Sequence, residues 1–422
     1  MQRLPLTPRP DKASKLEAIG LSFHAWDDYW NEAACYRFSA QQVDELEAAT
    51  EALHAMCLQA VGHVIAQGRL AQLGFPKQAH ALIEASWQKR EPSLYGRFDL
   101  AYDGHSPPRM LEYNADTPTS LLESAVAQWY WLQDVFPQAD QFNSLHERLV
   151  ERWQQLGVQG PLHIASLDDN EEDWVCTHYL IETALQAGLQ AEHITLENIG
   201  WDGAQQRYVD MAQKPITTLF KLYPWEWIFQ EPFGQHIAAS PTRFIEPAWK
   251  AVLSCKGILP VLWELFEGHP NLLPAYFEPG RLQHYARKPL FSREGANVQL
   301  HTPQGLSAGA EGPYGAEGFV YQALAPMPQF KGRYPVIGSW IVGDSAAGMC
   351  LREDTRPVGA RLSALVGQNH LTIINPGSTP SPLHWRFYLT PPHTVVRRWS
   401  EVSATTEFLL VPTRQADSPE QR

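Results

Sequence analysis

Apolar residues recur at three- and four-residue intervals along the first long segment: Val43, Leu46, Leu53, Met56, Cys57, Ala60, Val64. That spacing predicts an amphipathic helix over 40–72, with Ser39 as its N-cap and Gly68 near its end. A shorter helix is expected over 76–88, closed by Pro92. The period then changes. GRFDLAYDG and RMLEYNAD alternate apolar and polar positions on either side of the turn-rich HSPP, which reads as a hairpin. SLLESAVAQWYWLQDVF follows as a helix entered through Thr119 or Ser120. Beyond Gly160 come an apolar strand (PLHIASLDD), a helix closed by Gly188 and a second strand (QAEHITLENI), a unit that implies a parallel sheet. PITTLFKLYP is one more strand. A helical segment starts near Pro247, strands are expected in HYARKPL, GFVYQAL and PVIGSWIVGD, and VGDSAAGMCLREDT reads as a hairpin turning at GDSAAG. The residues after Pro376 are Pro-rich and read as an irregular extension.

Composition narrows the class. The chain has 422 residues, 44% of them hydrophobic and 19% charged, enough for a large core and two or three domains. A net charge of −13 argues against a nucleic-acid surface. No apolar run reaches the roughly 20 residues of a membrane helix, the start lacks the apolar stretch of a signal peptide, and the five cysteines are scattered. A cytoplasmic protein with reduced thiols is expected. HExxH and the Walker A loop are both absent.

The densest polar cluster falls on the first hairpin. Side chains two apart leave one face of a strand, so Arg97 shares a face with Asp99, and Glu112 with Asn114 and Asp116. Two carboxylates and an amide oxygen form a hard-oxygen set suited to Mg²⁺; a solvated strand face with ion pairs would look the same. Thr117 and Thr119 could hold an anion where the next helix begins, or merely cap it. In SLDDNEED, Glu171 and Glu172 follow a strand and could take a substrate ammonium, or serve as first-turn acids of the helix. Lys256 interrupts an apolar helical segment, and Lys288 ends a strand before a Ser/Gly loop; either can bind phosphates, or simply snorkel at the surface. GPYGAEG at 312–318 reads as a mobile loop. Arg352 is readable as a phosphoryl clamp or as a partner of its neighbours Glu353 and Asp354.

Taken together, GRFDLAYDG, LEYNADTPTSLLE, FKLYPWEW, the run IEPAWKAVLSCKGILPVLWELFEGHPNLLPAYF, RKPLFSREGANV, EGFVYQAL and GSWIVGDSAAGMCLRED resemble the synthetase domain of the glutathionylspermidine synthase family, and more closely its shorter stand-alone bacterial forms. The resemblance runs from about residue 20 to about 375. It implies a mixed α/β, ATP-grasp fold in a permuted, glutathione-synthetase-like order, accompanied by a pre-ATP-grasp-like α/β substrate domain. The expected divisions are 1–160 (N-terminal helices and metal-binding hairpin), 161–245 (substrate domain), 246–375 (nucleotide-binding region) and 376–422 (extension).

The implied chemistry is ATP-dependent phosphorylation of a carboxylate, followed by attack of an amine to give an amide. By this resemblance Asp99, Glu112 and Asn114 hold Mg²⁺, and Lys256 and Lys288 hold ATP. Glu294 and Gly295 lie in a phosphate-covering loop, and Gln322 in the adenine segment. Arg97, Thr117 and Thr119 hold the acid, with Thr where the family has Ser at both positions. Glu171 and Glu172 form an acidic pair near the substrates, and Arg352 stabilises the transferring phosphoryl group. The partners implied are a small-molecule or peptide acid and an amine, which could be polyamine-like. Leu222 stands where the family presents a hydroxyl, and nothing here corresponds to the Cys/His amidase domain of the bifunctional members. A nucleotide-binding regulatory protein without turnover is the alternative reading.

Overall fold

The computed structural model describes residues 1–26, 29–293, 295–308, 311–355 and 369–374. The long helix forms over Ala40–Ala66, with a complete capping box between Ser39 and Gln42; Gly68 then takes a left-handed φ and a 3₁₀ turn follows. Its buried face (Leu46, Leu53, Cys57, Ala60, Val61, Val64) lies against the strand Tyr334–Val342, where Thr50 and Ser339 share a 2.6 Å hydrogen bond. The second helix spans Lys77–Gln88.

The long helix Ala40–Ala66 covers a seven-stranded sheet in the order Gln2–Pro5, Trp30–Arg37, Asn369–Ile374, Ser345–Asp354, Tyr334–Val342, Tyr95–Ala101, Arg109–Asn114. Only the pairing between Trp30–Arg37 and Asn369–Ile374 is parallel. The expected hairpin is therefore one edge of a sheet assembled from both ends of the chain. Its strands are locked by Phe98 stacked on Tyr113, centroids 3.8 Å apart, and Gly96 makes room: a Cβ there would lie 2.8 Å from Tyr113.

A second sheet is wholly parallel: Arg243–Ile245, Thr218–Lys221, Leu162–Ser166, Ala191–Thr195. The helix Glu171–Gln186 crosses over as its sequence implies, with Asn170 capping Asp173 N–H. A third, five-stranded antiparallel sheet holds Tyr285–Pro289 between Phe319–Ala323 and Gln299–Thr302. No helix among the described residues is long and apolar enough to cross a membrane.

Three local expectations need correction. The segment after Pro247 is two helices, Lys250–Ser254 and Ile258–Leu265, because Cys255 turns extended between them. The late hairpin turns at Gly343–Asp344 alone, and SAAG belongs to the strand Ser345–Asp354, where a bulge at Trp340/Ile341 absorbs the extra residue. The helix after Thr119 begins at Leu121 with a wide π-turn over Glu123–Ala127, and Ser120 sits at φ +73° rather than in the extended geometry of an N-cap. The Pro-rich extension lies outside the described residues.

Candidate active site

The site starts from the hairpin register. Asp99 pairs with Glu112 and Arg97 with Asn114, so the alternation of two converging rows becomes a single polar patch. Asp99 is wholly buried and accepts from Arg97 Nε at 3.0 Å and Arg352 at 2.5 Å. Burial alone would raise its pKa, but Arg352 and Arg97 outweigh that and hold the carboxyl below its usual value. Arg352 thus reaches across the sheet to Asp99. Its neighbour Glu353 points to the other face, where it takes a bidentate bond from Arg3.

Glu112 faces Lys256 at 3.2 Å, and its Oε2 receives no hydrogen bond. Asn114 donates long contacts to Asp99 (3.3 Å) and Glu112 (3.4 Å). Rotating that amide would turn its oxygen toward the two carboxylates. Two carboxylates and an amide oxygen, one carboxylate oxygen lacking a donor, fit a hard divalent cation such as Mg²⁺.

Lys256 sits at the break between the two short helices, not on an apolar helix face. The break aims its ammonium at Glu112 and at the Ser292 carbonyl (2.9 Å). Lys288 lies inside a strand and donates to the Leu111 carbonyl (3.0 Å) and to Gln322 Oε1 (2.8 Å); burial pulls its pKa down to about 8. Gln322 is buried beneath it and donates to the Met110 carbonyl at 3.1 Å, so its amide is used in fixing Lys288. Gly295 occupies a turn at φ +67°. Glu294 lies outside the described residues. The 312–318 segment is tied to Asn297, whose side chain bonds Gly312 and Tyr314.

An open cleft of about 260 Å³ is lined by Arg97, Asp99, Glu112, Asn114, Thr117 and Thr119, and by Glu172 and Arg352; Lys256 lines a smaller pocket that shares Glu112 and Asn114 with it, and Lys288 and Gln322 line neither. Arg97 also donates to the Thr119 carbonyl at 2.8 Å, which ties the loop to the sheet. The acidic pair separates: Glu172 faces the cleft, whereas Glu171 is exposed and accepts from Ser22. Consecutive helical positions project about 100° apart, which accounts for the split.

Several residues at the site have no clear signal in spacing. Arg293 bonds Thr117 (2.7 Å) and Glu226 (3.0 Å), and it stands next to the Lys288 motif in sequence. Asp116 lies beyond the strand end at Asn114, so it leaves the shared face and turns to Lys221 (2.6 Å), both 1% exposed, while accepting Trp225 N–H at 2.8 Å. Lys221 was visible only as a lysine inside an apolar strand. Glu123 is buried in the π-turn, accepts from Tyr29, and is pushed up to about 7 by burial and by Glu172.

A family model described as glutathionylspermidine synthase preATP-grasp matches residues 3–370. The chain belongs to that family. Its fold is therefore a mixed α/β one of the ATP-grasp type, as the resemblance implied. A Haemophilus influenzae protein named "Putative acid--amine ligase" is 42% identical over 82% of this chain and 93% of its own length. The Escherichia coli bifunctional glutathionylspermidine synthetase/amidase is 28% identical over 76% of this chain, and the Crithidia fasciculata trypanothione synthetase 27% over 72%. The chain spans only 56% and 51% of those two longer relatives. The protein is an enzyme of the carbon–nitrogen ligase class.

Proposed function

We propose that the protein joins a carboxylic acid to an amine at the cost of Mg·ATP, by way of an acyl phosphate. The observation that carries this reading is the meeting of Asp99, Glu112 and Asn114 with Arg97 and Arg352 in one cleft, with Lys256 3.2 Å from Glu112 at its margin. Phosphoryl transfer is mostly positioning and charge neutralisation, so it calls for cations and hard oxygens and not for a nucleophilic side chain. Mg²⁺, held by Asp99, Glu112 and Asn114, would neutralise phosphate charge.

Arg97, with Thr117 and Thr119, orients the acid. A carboxylate oxygen attacks the γ-phosphorus, ADP leaves, and Arg352 swings from Asp99 to the transferring group. Lys256 and Lys288 hold the nucleotide phosphates. The amine nitrogen then attacks the acyl carbon and phosphate departs. The amine must be neutral to attack, and Glu172, one of the carboxylates lining the cleft, binds the ammonium and takes its proton. The names of the relatives favour a peptide acid and a polyamine-like amine. No role is drawn for Glu171, which points away from the cleft.

The reading is tested by ADP release from Mg·ATP with pooled acids and amines, glutathione and spermidine included. Release that requires both an acid and an amine supports a ligase. Tight ATP binding without release from any pool favours a regulatory nucleotide binder.

A further inference from the structure

A second group of ligand-type side chains lies on the parallel sheet, at the opposite end of its first strand from the cleft. The strand Leu162–Ser166 delivers its C-terminal end to the cleft loop through Leu167 and Asn170. His163 is near the other end. Parallel register sets it directly beside Glu192, and the two share the sheet face that carries Ala165 and Ile194. Onto that face packs the two-stranded excursion Gly200–Asp202/Arg207–Val209, through Tyr208. The residue that follows the excursion is Asp210. Its carboxylate is fixed by the Ala212 and Lys214 amides, both at 2.8 Å and both to Oδ1.

One ligand atom from each of His163, Glu192 and Asp210 lies within 4.8 Å of the others. His163 is 3% exposed, yet neither ring nitrogen makes a hydrogen bond. Nε2 approaches Glu192 at 3.2 Å without the alignment of one. A buried imidazole normally satisfies at least one nitrogen, because leaving it bare forfeits its hydration. Two carboxylates and a neutral imidazole give such a nitrogen its usual alternative partner, a metal ion.

We propose that His163, Glu192 and Asp210 form a metal site for a borderline divalent transition ion, Zn²⁺ or Mn²⁺, distinct from the hard-oxygen set at the cleft. The nitrogen ligand separates it from Mg²⁺, which prefers oxygen alone. Glu192 is exposed, which leaves positions for water. The bound ion would staple the excursion to the sheet, since Asp210 follows the excursion and the other two ligands belong to the sheet. The inference does not rest on the ligase reading.

The test is calorimetric titration of the full chain with Zn²⁺ in saturating Mg²⁺, repeated with Co²⁺ followed by absorption. Wild type should bind one Zn²⁺ per chain, with a Co²⁺ spectrum of nitrogen and oxygen ligation. Glu192→Gln and Asp210→Asn change only partly exposed side chains and should keep the fold, while each weakens Zn²⁺ at least about 10–100-fold. The thermal midpoint should rise with Zn²⁺ in wild type and stay fixed in the variants. Absence of Zn²⁺ binding, equal affinity in both variants, or a thiolate band in the Co²⁺ spectrum would each overturn the site.

Discussion

Arg352 bonds Asp99 at 2.5 Å diagonally across the strand Tyr334–Val342, where Arg352 pairs with Val336 and Asp99 with Gly338. A Cβ at 338 would lie 2.6 Å from Cys350 Sγ and 2.9 Å from Arg97 Cδ, so the glycine opens the lane along which the two arginines converge on one carboxylate. Arg97 is also held by the Thr119 carbonyl.

The two arginines separate binding from turnover. Arg352→Ala should abolish ADP release while keeping ATP affinity within a few-fold, and Arg97→Ala should also raise the KM for the acid. Steady-state kinetics alongside nucleotide titration reads both. An Arg352→Ala enzyme with unaltered turnover would remove Arg352 from the mechanism.

Lys288 gives a pH signature. Its folded pKa is lowered from 10.5 to about 8 by burial, so between those values the unfolded chain holds a proton that the folded chain has lost. The stability cost is present in full below pH 8 and is relieved as pH rises toward 10.5. Phosphates at Lys288 would restore its charge, so ATP binding should take up a proton near pH 8 and weaken above it. Lys288→Arg keeps the charge and should flatten that dependence, as calorimetry in two buffers of different ionisation enthalpy would show.

Glu123 gives the opposite sign in a different window. Burial raises it from 4.5 to about 7, so the folded state keeps a proton that the unfolded state releases above pH 4.5. Stability should fall as pH rises from about 4.5 to 7, by roughly 3 kcal/mol. Glu123→Gln removes the titration while keeping a partner for Tyr29, and its urea midpoint should lose that slope.

Most of the architecture was legible because it is written in period. The Ala40–Ala66 helix, the 95–114 hairpin and the parallel 162–195 unit all follow from 3.6- and two-residue spacing. So did the convergence of Asp99 and Glu112, since i and i+2 leave one face and a hairpin brings two faces together. Illegible were the features set by tertiary contact. The break at Cys255 is marked in sequence only by Lys256 and Gly257, which a helix can also carry, and the π-turn at Glu123 looks like ordinary helix. The departure of Arg352 from its acidic neighbours depends on which strand lies two places away, which local sequence does not encode.

The buried Asp116–Lys221 pair joins the loop that carries Thr117 and Thr119 to the parallel sheet. Burial pushes Asp116 up and Lys221 down, against their mutual attraction, and the Trp225 amide and Tyr223 carbonyl complete the shell. Replacing one partner leaves the other charge uncompensated: Asp116→Ala should cost about 3–5 kcal/mol in urea unfolding. Replacing both, Asp116→Ala with Lys221→Met, should recover most of that loss, because desolvation of both ions disappears with their attraction. Stability and acid recognition should then part. If the pair serves to fix the loop, the double variant regains stability yet keeps a raised KM for the acid, with the KM for ATP unchanged. A double variant with wild-type KM for both substrates would reduce the pair to a stabilising contact.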